Sequence, residues 1–505
     1  MKYIIVIPQE IFAKTQKFLL RDPNNEQFGY LFAGCNVTDQ FVKLLVHTFL
    51  PARDKDDLEH QSVGGVCPSP KFQMRAYSIC KTQGYHLIDA HSHPFDSSGH
   101  VQFSGIDNRY EFGHGYEGVF GFTAKWNPGM YHASIVIGQN SLDARIYRPE
   151  EGRPVPINEV QIMISKSIIP TSAQLSTPIQ TKQKYSTEYV VKSDEKLKKK
   201  HGGSFGDNFD SIYSRQILAF GKAGQEALAN TTVAVIGAGG LGSIIIETLA
   251  RLGVRELICV DDDVVEFSNI SRVLGSTLED AKKKTNKVDV LARHVELINP
   301  DLKFIPIADS VLNPKVLEAL KYADYIISGT DTYSSRLVLN QFSIQYLIPF
   351  LNLGFGMETD VNHTKLISSG GKIIIFVPGN WCYYCLGEID QRELQIELMS
   401  TEDKQRQVLR GYISGVDIPD PSVLFLNMTV ASLGVCEFLN LLTPFKERNY
   451  YLFYDMLSTK LWHIKANKNP DCPICSSDAE IFGRGDLIML EDIRDLGQNR
   501  TFPGI

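Results

Sequence analysis

An α/β fold is predicted for this chain of 505 residues, and three observations predict it. The run Val233–Asp263 reads as strand, glycine turn, helix and strand, the alternation that builds a parallel sheet. Strand and helix patterns also alternate through residues 1–149. Between the two regions hydrophobic periodicity fades into polar and proline-containing sequence, so each region is expected to bury its own core. The boundaries implied are a first domain over 1–149, a linker over 150–210, a second domain over 211–483 and a tail over 484–505.

Composition sets limits on function. The chain is 43% hydrophobic and 22% charged, as expected of globular domains. Its formal charge of -7 argues against a nucleic-acid partner, which usually meets a basic surplus. The start, MKYIIVIPQEIFAK, is broken by Pro8 and Glu10 and reads as a first strand, not a signal peptide. No run approaches the ~18 apolar residues of a membrane span, so no membrane partner is expected. Nine cysteines, with two C-x-x-C pairs among them, suit a reducing cytoplasm and a metal better than disulfides.

In the first domain, strands are expected at Tyr3–Ile7, Gly29–Gly34, Phe41–Leu50, Gly118–Ala124, Tyr131–Ile137 and Ala144–Tyr147. Helices are expected from Pro8 to Leu20 and near Pro70–Thr82. The segment HLIDAHSHP ends in His91 and His93, which share a face of an extended strand and can grip one ion. Asp107 supplies a hard third ligand, with Asp96 as its rival. Two imidazoles, a carboxylate and an open position suit catalytic Zn²⁺. Glu26, before the strand QFGYLFAG, is the candidate base.

These residues resemble the JAMM (MPN-plus, JAB) metalloproteases, whose pattern is an upstream Glu, then H-x-H-P, then S-x-x-D. Here it reads Glu26, His91-Ser92-His93-Pro94 and Ser104-Gly105-Ile106-Asp107. The resemblance implies zinc on His91, His93 and Asp107, Glu26 as general acid/base, and Ser104 helping to hold an oxyanion. It also implies cleavage after the C-terminal glycine of a ubiquitin-like protein. The spacing from His93 to Asp107 is about three residues longer than the family's, which is what keeps Asp96 in view.

Within the linker, Lys196–Lys200 and Gly202–Gly203 read as a solvated tether, while Val160–Ile169 is apolar enough to pack on a domain.

The turn Gly237-Ala238-Gly239-Gly240-Leu241-Gly242 in the second domain fits G-x-G-x-x-G. Its glycines allow a tight turn and close approach of a phosphate to the helix N-terminus. Asp261 stands where a carboxylate accepts hydrogen bonds from a ribose. A plain dinucleotide oxidoreductase would not need the polar residues that follow. Asp331, at the end of the apolar strand Tyr325–Ser328, suits Mg²⁺, while Arg215, Arg272 and Lys287 suit a triphosphate under attack.

This series, from Tyr213 to about Cys475, closely resembles the ThiF/MoeB family, relatives of ubiquitin-activating enzymes. The resemblance implies ATP with Asp261 on its ribose and Asn269, Arg272 and Lys287 on its phosphates. Asp331 would serve Mg²⁺, and Arg215 would reach a neighbour's ATP across a homodimer interface. The reaction implied is adenylation of the C-terminal glycine of a ubiquitin-like protein. Cys382, Cys385, Cys472 and Cys475 offer four thiolates for a closed, structural Zn²⁺ site, redox pairs being the alternative.

The expectation is thus an N-terminal JAMM/MPN α/β domain fused to a Rossmann-like ThiF-type adenylation domain with a four-cysteine zinc site. Such fusions resemble those of bacterial ubiquitin-like conjugation operons, some linked to phage defence. The further partner is a conjugating enzyme or a sulfur donor. The rival readings are sulfur-carrier activation for thiocarboxylate chemistry and a non-catalytic scaffold that binds the modifier. The stretch Gly411–Ser422, where thioester-forming relatives keep a cysteine, has none. Cys259 and Cys436 lie in apolar runs and are expected to be buried, so the reaction is expected to stop at the acyl-adenylate, a thioester on Cys436 or on Cys35, Cys67 or Cys80 being the alternative.

Overall fold

In the computed structural model the described residues are 1–505 apart from 54, 98, 114–117, 149–152, 164–166, 170–208, 361–363, 400–405, 407–420, 477 and 490–505. They form two compact units. The first takes Met1–Thr187, Ile344–Leu347 and Pro473–Met489, and the second takes most of the rest.

The first unit is built on a nine-stranded sheet with a separate two-stranded ribbon. Its strands are β1 (Lys2–Ile7), β2 (Phe28–Val37), β3 (Phe41–Pro51), the ribbon pair β4 (Leu58–Ser62) and β5 (Gly65–Pro68), and β6 (His86–Ser92). They continue with β7 (His132–Ile137), β8 (Leu142–Arg148), β9 (Arg153–Pro156), β10 (Glu159–Ile162) and β11 (Ser167–Ile169). The sheet order is β11-β10-β1-β3-β2-β6-β7-β8-β9. β6 is central and buried along its whole length. One core gathers Tyr30, Phe32, Phe72, Tyr77, Leu87 and Phe120. The helix Pro70–Gln83 starts on a Ser69 cap with proline in its first turn and ends on left-handed Gly84.

Two expectations change here. Gly118–Ala124 is not a strand but the start of a helix, Val119–Trp126. Its β-branched and aromatic residues favour a strand locally, but Val119, Phe120 and Thr123 fall on one helical face and are buried together. The stretch read as linker also begins with structure. β10 pairs in parallel with β1, and β9 pairs with β8, so both strands extend the sheet. The basic run Lys196–Lys200 and most of the remaining linker lie outside the described residues.

The second unit has an eight-stranded sheet: β12 (Thr232–Ile236), β13 (Glu256–Val260), β14 (Lys303–Ile307), β15 (Tyr325–Ser328), β16 (Phe350–Thr359), β17 (Leu366–Phe376), β18 (Tyr451–Asp455) and β19 (Lys460–His463). Their order is β14-β13-β12-β15-β16-β17-β18-β19, parallel as far as β16 and antiparallel beyond it. The order reverses between β12 and β15, which opens the crevice where such sheets bind ligands. The helix Leu424–Leu442 packs on the helix Gly240–Leu252 and on β16 and β17. This corrects the expectation about membrane-length runs, since by length and apolarity alone this helix could span one. Gly434 and Gly371 let it lie close to the sheet, because a Cβ at either would strike Leu353 or Val430.

Candidate functional site

In the first unit β2 and β6 run antiparallel with Phe28 opposite His91. Continuing that register sets Glu26 opposite His93. The junction is held by Gln27 and Ser92, whose backbone and hydroxyl groups exchange hydrogen bonds of 3.0 and 3.1 Å. Glu26 is fixed through its own backbone, which donates to Ser62 and accepts from the Gln61 carboxamide at 2.8 Å.

Asp107 arrives on the helix Gly105–Phe112 through a capping box. Ser104 accepts from the Ile106 and Asp107 N–H groups, and Asp107 accepts from the Ser104 N–H at 2.5 Å. This box aims the Asp107 carboxylate at both imidazoles, 3.2 Å from His91 Nε2 and 3.4 Å from His93 Nε2. His93 Nε2 also lies 3.6 Å from Glu26 Oε1.

All four side chains are buried. His91 Nε2, His93 Nε2 and Glu26 Oε2 are buried without a hydrogen-bond partner. Burial pushes the Glu26 carboxyl up to about 7, against the pull of His91 and His93. Burial also acts to raise Asp107, but the adjacent imidazole of His91, with that of His93 behind it, holds it well below the usual carboxylate range. His91 is the converse case: burial lowers it, and Asp107 more than restores it.

Two buried imidazole nitrogens and a carboxylate turned toward one point are a fit for a metal ion, and their ligand atoms lie within 4.8 Å of one another. Asp107 completes this group and its rival Asp96 does not.

In the second unit Gly237 follows β12 with a positive φ of 94°, and Gly242 sits so close behind it that a Cβ there would lie 1.8 Å from the Gly237 oxygen. These are positions that only glycine fills. Gly239 and Gly240 open the helix Gly240–Leu252, whose N-terminal N–H groups face a would-be phosphate. Asp261, at the end of β13, accepts from Ala238 N–H at 2.5 Å and so is tied to the turn. Lys287 is buried, 2.6 Å from Asp263 and 4.0 Å from Asp261. Arg272 donates to the Ser268 carbonyl and lays its stem beside Gly240. Asn269 is buried and caps its short 3₁₀ turn through the Glu266 N–H. Asp331 is exposed beyond β15, and Arg215 is exposed on the helix Ser214–Ala229.

Sequence reading missed one residue here. Asn427, inside the apolar run VLFLNMTVASLGV, is fully buried, and a Cβ on Gly240 would meet its Nδ2 at 2.4 Å. The signal was present, as a lone amide on an otherwise apolar helix start.

The thiols of Cys382, Cys385, Cys472 and Cys475 lie within 4.8 Å of one another. Cys382 Sγ is 3.7 Å from Cys472 Sγ and 4.0 Å from Cys385 Sγ. That is too long for a disulfide and close to the ~3.8 Å edge of a tetrahedron with ~2.3 Å metal–sulfur bonds. Of the other thiols, Cys259 is buried and its thiolate strongly disfavoured by that burial. Cys436 is only half-buried, contrary to expectation, because its side of the helix Leu424–Leu442 is not fully covered.

Comparison with known proteins agrees with this geometry. The "SAMP-activating enzyme E1" of Haloferax volcanii is 30% identical over 285 residues, covering 56% of this chain and 92% of that protein. The "Sulfur carrier protein ThiS adenylyltransferase" of Bacillus subtilis is 32% identical over 177 residues, covering 34% of this chain and 49% of its own length. The "Molybdopterin-synthase adenylyltransferase" of Escherichia coli is 26% identical over 270 residues, covering 52% and 95%. The ThiF family profile matches residues 213–474, just over half of the chain and the whole of the glycine-turn sheet. With its glycine turn, pinned Asp261 and buried Lys287 inside that match, the chain belongs to the ThiF family.

Proposed function

We propose that the second unit adenylates the C-terminal carboxylate of a small carrier protein. A carboxylate oxygen attacks the α-phosphorus of ATP, and pyrophosphate leaves. The observation that carries this reading is the grouping of Asp261, Lys287 and Arg272 around one glycine turn at a helix N-terminus. The turn would hold the phosphates, Asp261 the ribose, and Lys287 with Arg272 would offset the charge gathered during attack. Asp331, exposed at the mouth of the crevice, suits Mg²⁺, which keeps several waters and needs few carboxylates.

The name of the Bacillus subtilis relative, a sulfur carrier protein adenylyltransferase, favours a sulfur carrier as the substrate class. Activation of a ubiquitin-like modifier is the neighbouring reading, favoured by the SAMP-activating relative. The cysteine-free stretch Gly411–Ser422 fits either one, with an outside sulfur or thiol attacking the acyl-adenylate. As a test, labelled pyrophosphate should exchange into ATP when a small β-grasp protein ending in glycine is added. Asp331→Ala should abolish that exchange, and no exchange with any such protein would sink the reading.

A second reading concerns the first unit: a zinc-dependent peptidase acting after the same glycine. It is supported by the two unpartnered imidazole nitrogens that meet Asp107. Zinc, when bound, would supply Lewis acidity for the scissile carbonyl and acidify a water. Glu26 would take up a proton and return it to the leaving amine. Ser104, whose oxygen accepts two N–H bonds, keeps its own proton to offer an oxyanion. The four thiols would hold a structural zinc.

A further inference from the structure

We propose that Glu397 is a positioning residue of the nucleotide site, holding the turn that carries Asp331 so that its carboxylate can meet a divalent cation bound with ATP. This assignment rests on the reading of the second unit as an ATP site in which Asp331 serves Mg²⁺. The helix Tyr333–Tyr346 begins just after Asp331. Its first N–H groups have no partner within the helix, as at any helix start. Glu397, on the short helix Gln391–Leu398, supplies partners for two of them. Its Oε1 accepts from Tyr333 N–H and its Oε2 from Ser334 N–H, each at 2.9 Å. On the other side of Asp331, Arg336 Nη2 donates to the Thr330 carbonyl at 3.1 Å, and Thr330 N–H donates to Ser328 Oγ at 3.3 Å.

Asp331 is thus bracketed by anchored residues, while its own carboxylate is exposed and, among the described residues, uncommitted. Capping of the helix alone does not account for this arrangement. Thr332 immediately precedes the helix, where a hydroxyl ordinarily caps by accepting from the first turn. Here it pairs with the Ser335 hydroxyl at 2.6 Å instead. Capping has passed to a carboxylate more than sixty positions away in the chain, with both of its oxygens engaged. Hydrogen bonds to an ionised acceptor are the stronger kind, and the positive end of the helix favours the charge. Two such bonds tie the turn to a second element as well as to its own helix. Mg²⁺ asks for this, because it demands near-ideal octahedral geometry at about 2.0–2.1 Å. A carboxylate on a turn free to drift would meet that demand only part of the time.

The test measures ATP binding to the full chain by calorimetry, once with Mg²⁺ and once with EDTA, so that the difference reports the cation's share. Mg²⁺ should tighten binding to wild type. Glu397→Ala should weaken binding about tenfold in Mg²⁺, the loss typical when the partner orienting a metal ligand is removed, and stay within about twofold of wild type in EDTA. Glu397→Gln keeps one oxygen to accept an N–H and should fall between the two. It also serves should the alanine variant fold poorly, and melting curves identify which proteins are folded. Asp331→Ala should abolish the gain from Mg²⁺, and adding Glu397→Ala to it should change nothing further. A folded Glu397 variant with the wild-type gain would overturn the assignment. Equal losses in Mg²⁺ and EDTA, the mark of a merely structural role, would overturn it too. A gain that is absent from wild type, or that survives in Asp331→Ala, would take Asp331 out of the cation site and this assignment with it. A wild-type chain that binds no ATP in either condition would instead remove the nucleotide reading itself.

Discussion

Glu26 is a carboxyl kept from water beside two imidazoles, with one oxygen 3.6 Å from His93 and the other unpartnered. A side chain so placed can exchange protons in a cleft, and a positioned base is typically worth ~10²–10⁴ in rate. Glu26→Gln is therefore expected to lower cleavage after the carrier's glycine by that order while leaving pyrophosphate exchange unchanged. Normal cleavage by the variant, followed by mass spectrometry of a carrier fusion, would remove Glu26 from that role. The grouping of His91, His93 and Asp107 was legible because the spacing H-x-H puts two imidazoles on one strand face. The choice of Asp107 over Asp96 was not, because it depends on a capping box that turns one carboxylate inward. Asn427 stood out as a lone amide on an apolar helix start, but nothing local tied it to the glycine turn. Its neighbour in space, Gly240, is far away in sequence.

The glycine turn has little room to spare. An added methyl at Gly242 would collide with the Gly237 carbonyl, a contact no rotamer can relieve. Gly242→Ala should cost about 1–3 kcal/mol or more in the second unit and abolish ATP binding. Denaturant melts read on wild type and variant side by side would check this.

The helix Leu278–Lys283 carries a pH signature. Two hydrogen bonds from Arg293, at 3.0 and 2.8 Å, hold the buried Asp280 carboxyl well below the usual carboxylate range. Because the folded carboxyl is the more acidic, its stabilisation is complete above the unfolded pKa of ~3.9 and is lost as pH falls below that. Arg293→Ala should destabilise the protein by roughly 1 kcal/mol at pH 7. Chemical denaturation across pH should show the gap to wild type closing below about pH 4. At this scale the sequence pattern located β12, the glycine turn and β13 to within a residue or so, since strand, turn and helix signals agree there. It misread Val119–Trp126, where tertiary burial overrides the strand preference of Val, Phe and Thr.

Among the described residues three groups of side chains could hold a metal ion, and two of them, the His91 cluster and the cysteine cluster, offer the nitrogen and sulfur ligands that suit zinc. Elemental analysis of the purified protein should find about two zinc equivalents. Joint replacement of His91 and His93 by Ala should remove one, and joint replacement of Cys382 and Cys385 by Ser the other. Zinc content unchanged by both would show that neither cluster is a metal site. Chain-level organisation was the least legible property. β-strand pairing and domain membership depend on contacts between residues hundreds of positions apart, and no local pattern encodes those.

Membership of Pro473–Met489 in the first unit has a practical side for anyone wishing to divide the protein. Gly485 bridges to Cys35 and Asp486 N–H donates to the Cys35 carbonyl, while the Asp486 carboxylate accepts from Val37 N–H. His47 meets the Phe482 carbonyl at 2.7 Å, and Arg484 lies over Tyr85 and donates to Gln83. Gln345 and Tyr346, also of this unit, secure Gly485 and Asp486 in turn. A fragment cut after residue 187 would leave those backbone groups of β2 and that face of Tyr85 bare. It should express poorly or aggregate, and a synthetic peptide of residues 473–489 should rescue its solubility. In gene architecture the first unit is discontinuous, and moving Met1–Thr187 without Pro473–Met489 would leave part of its fold behind.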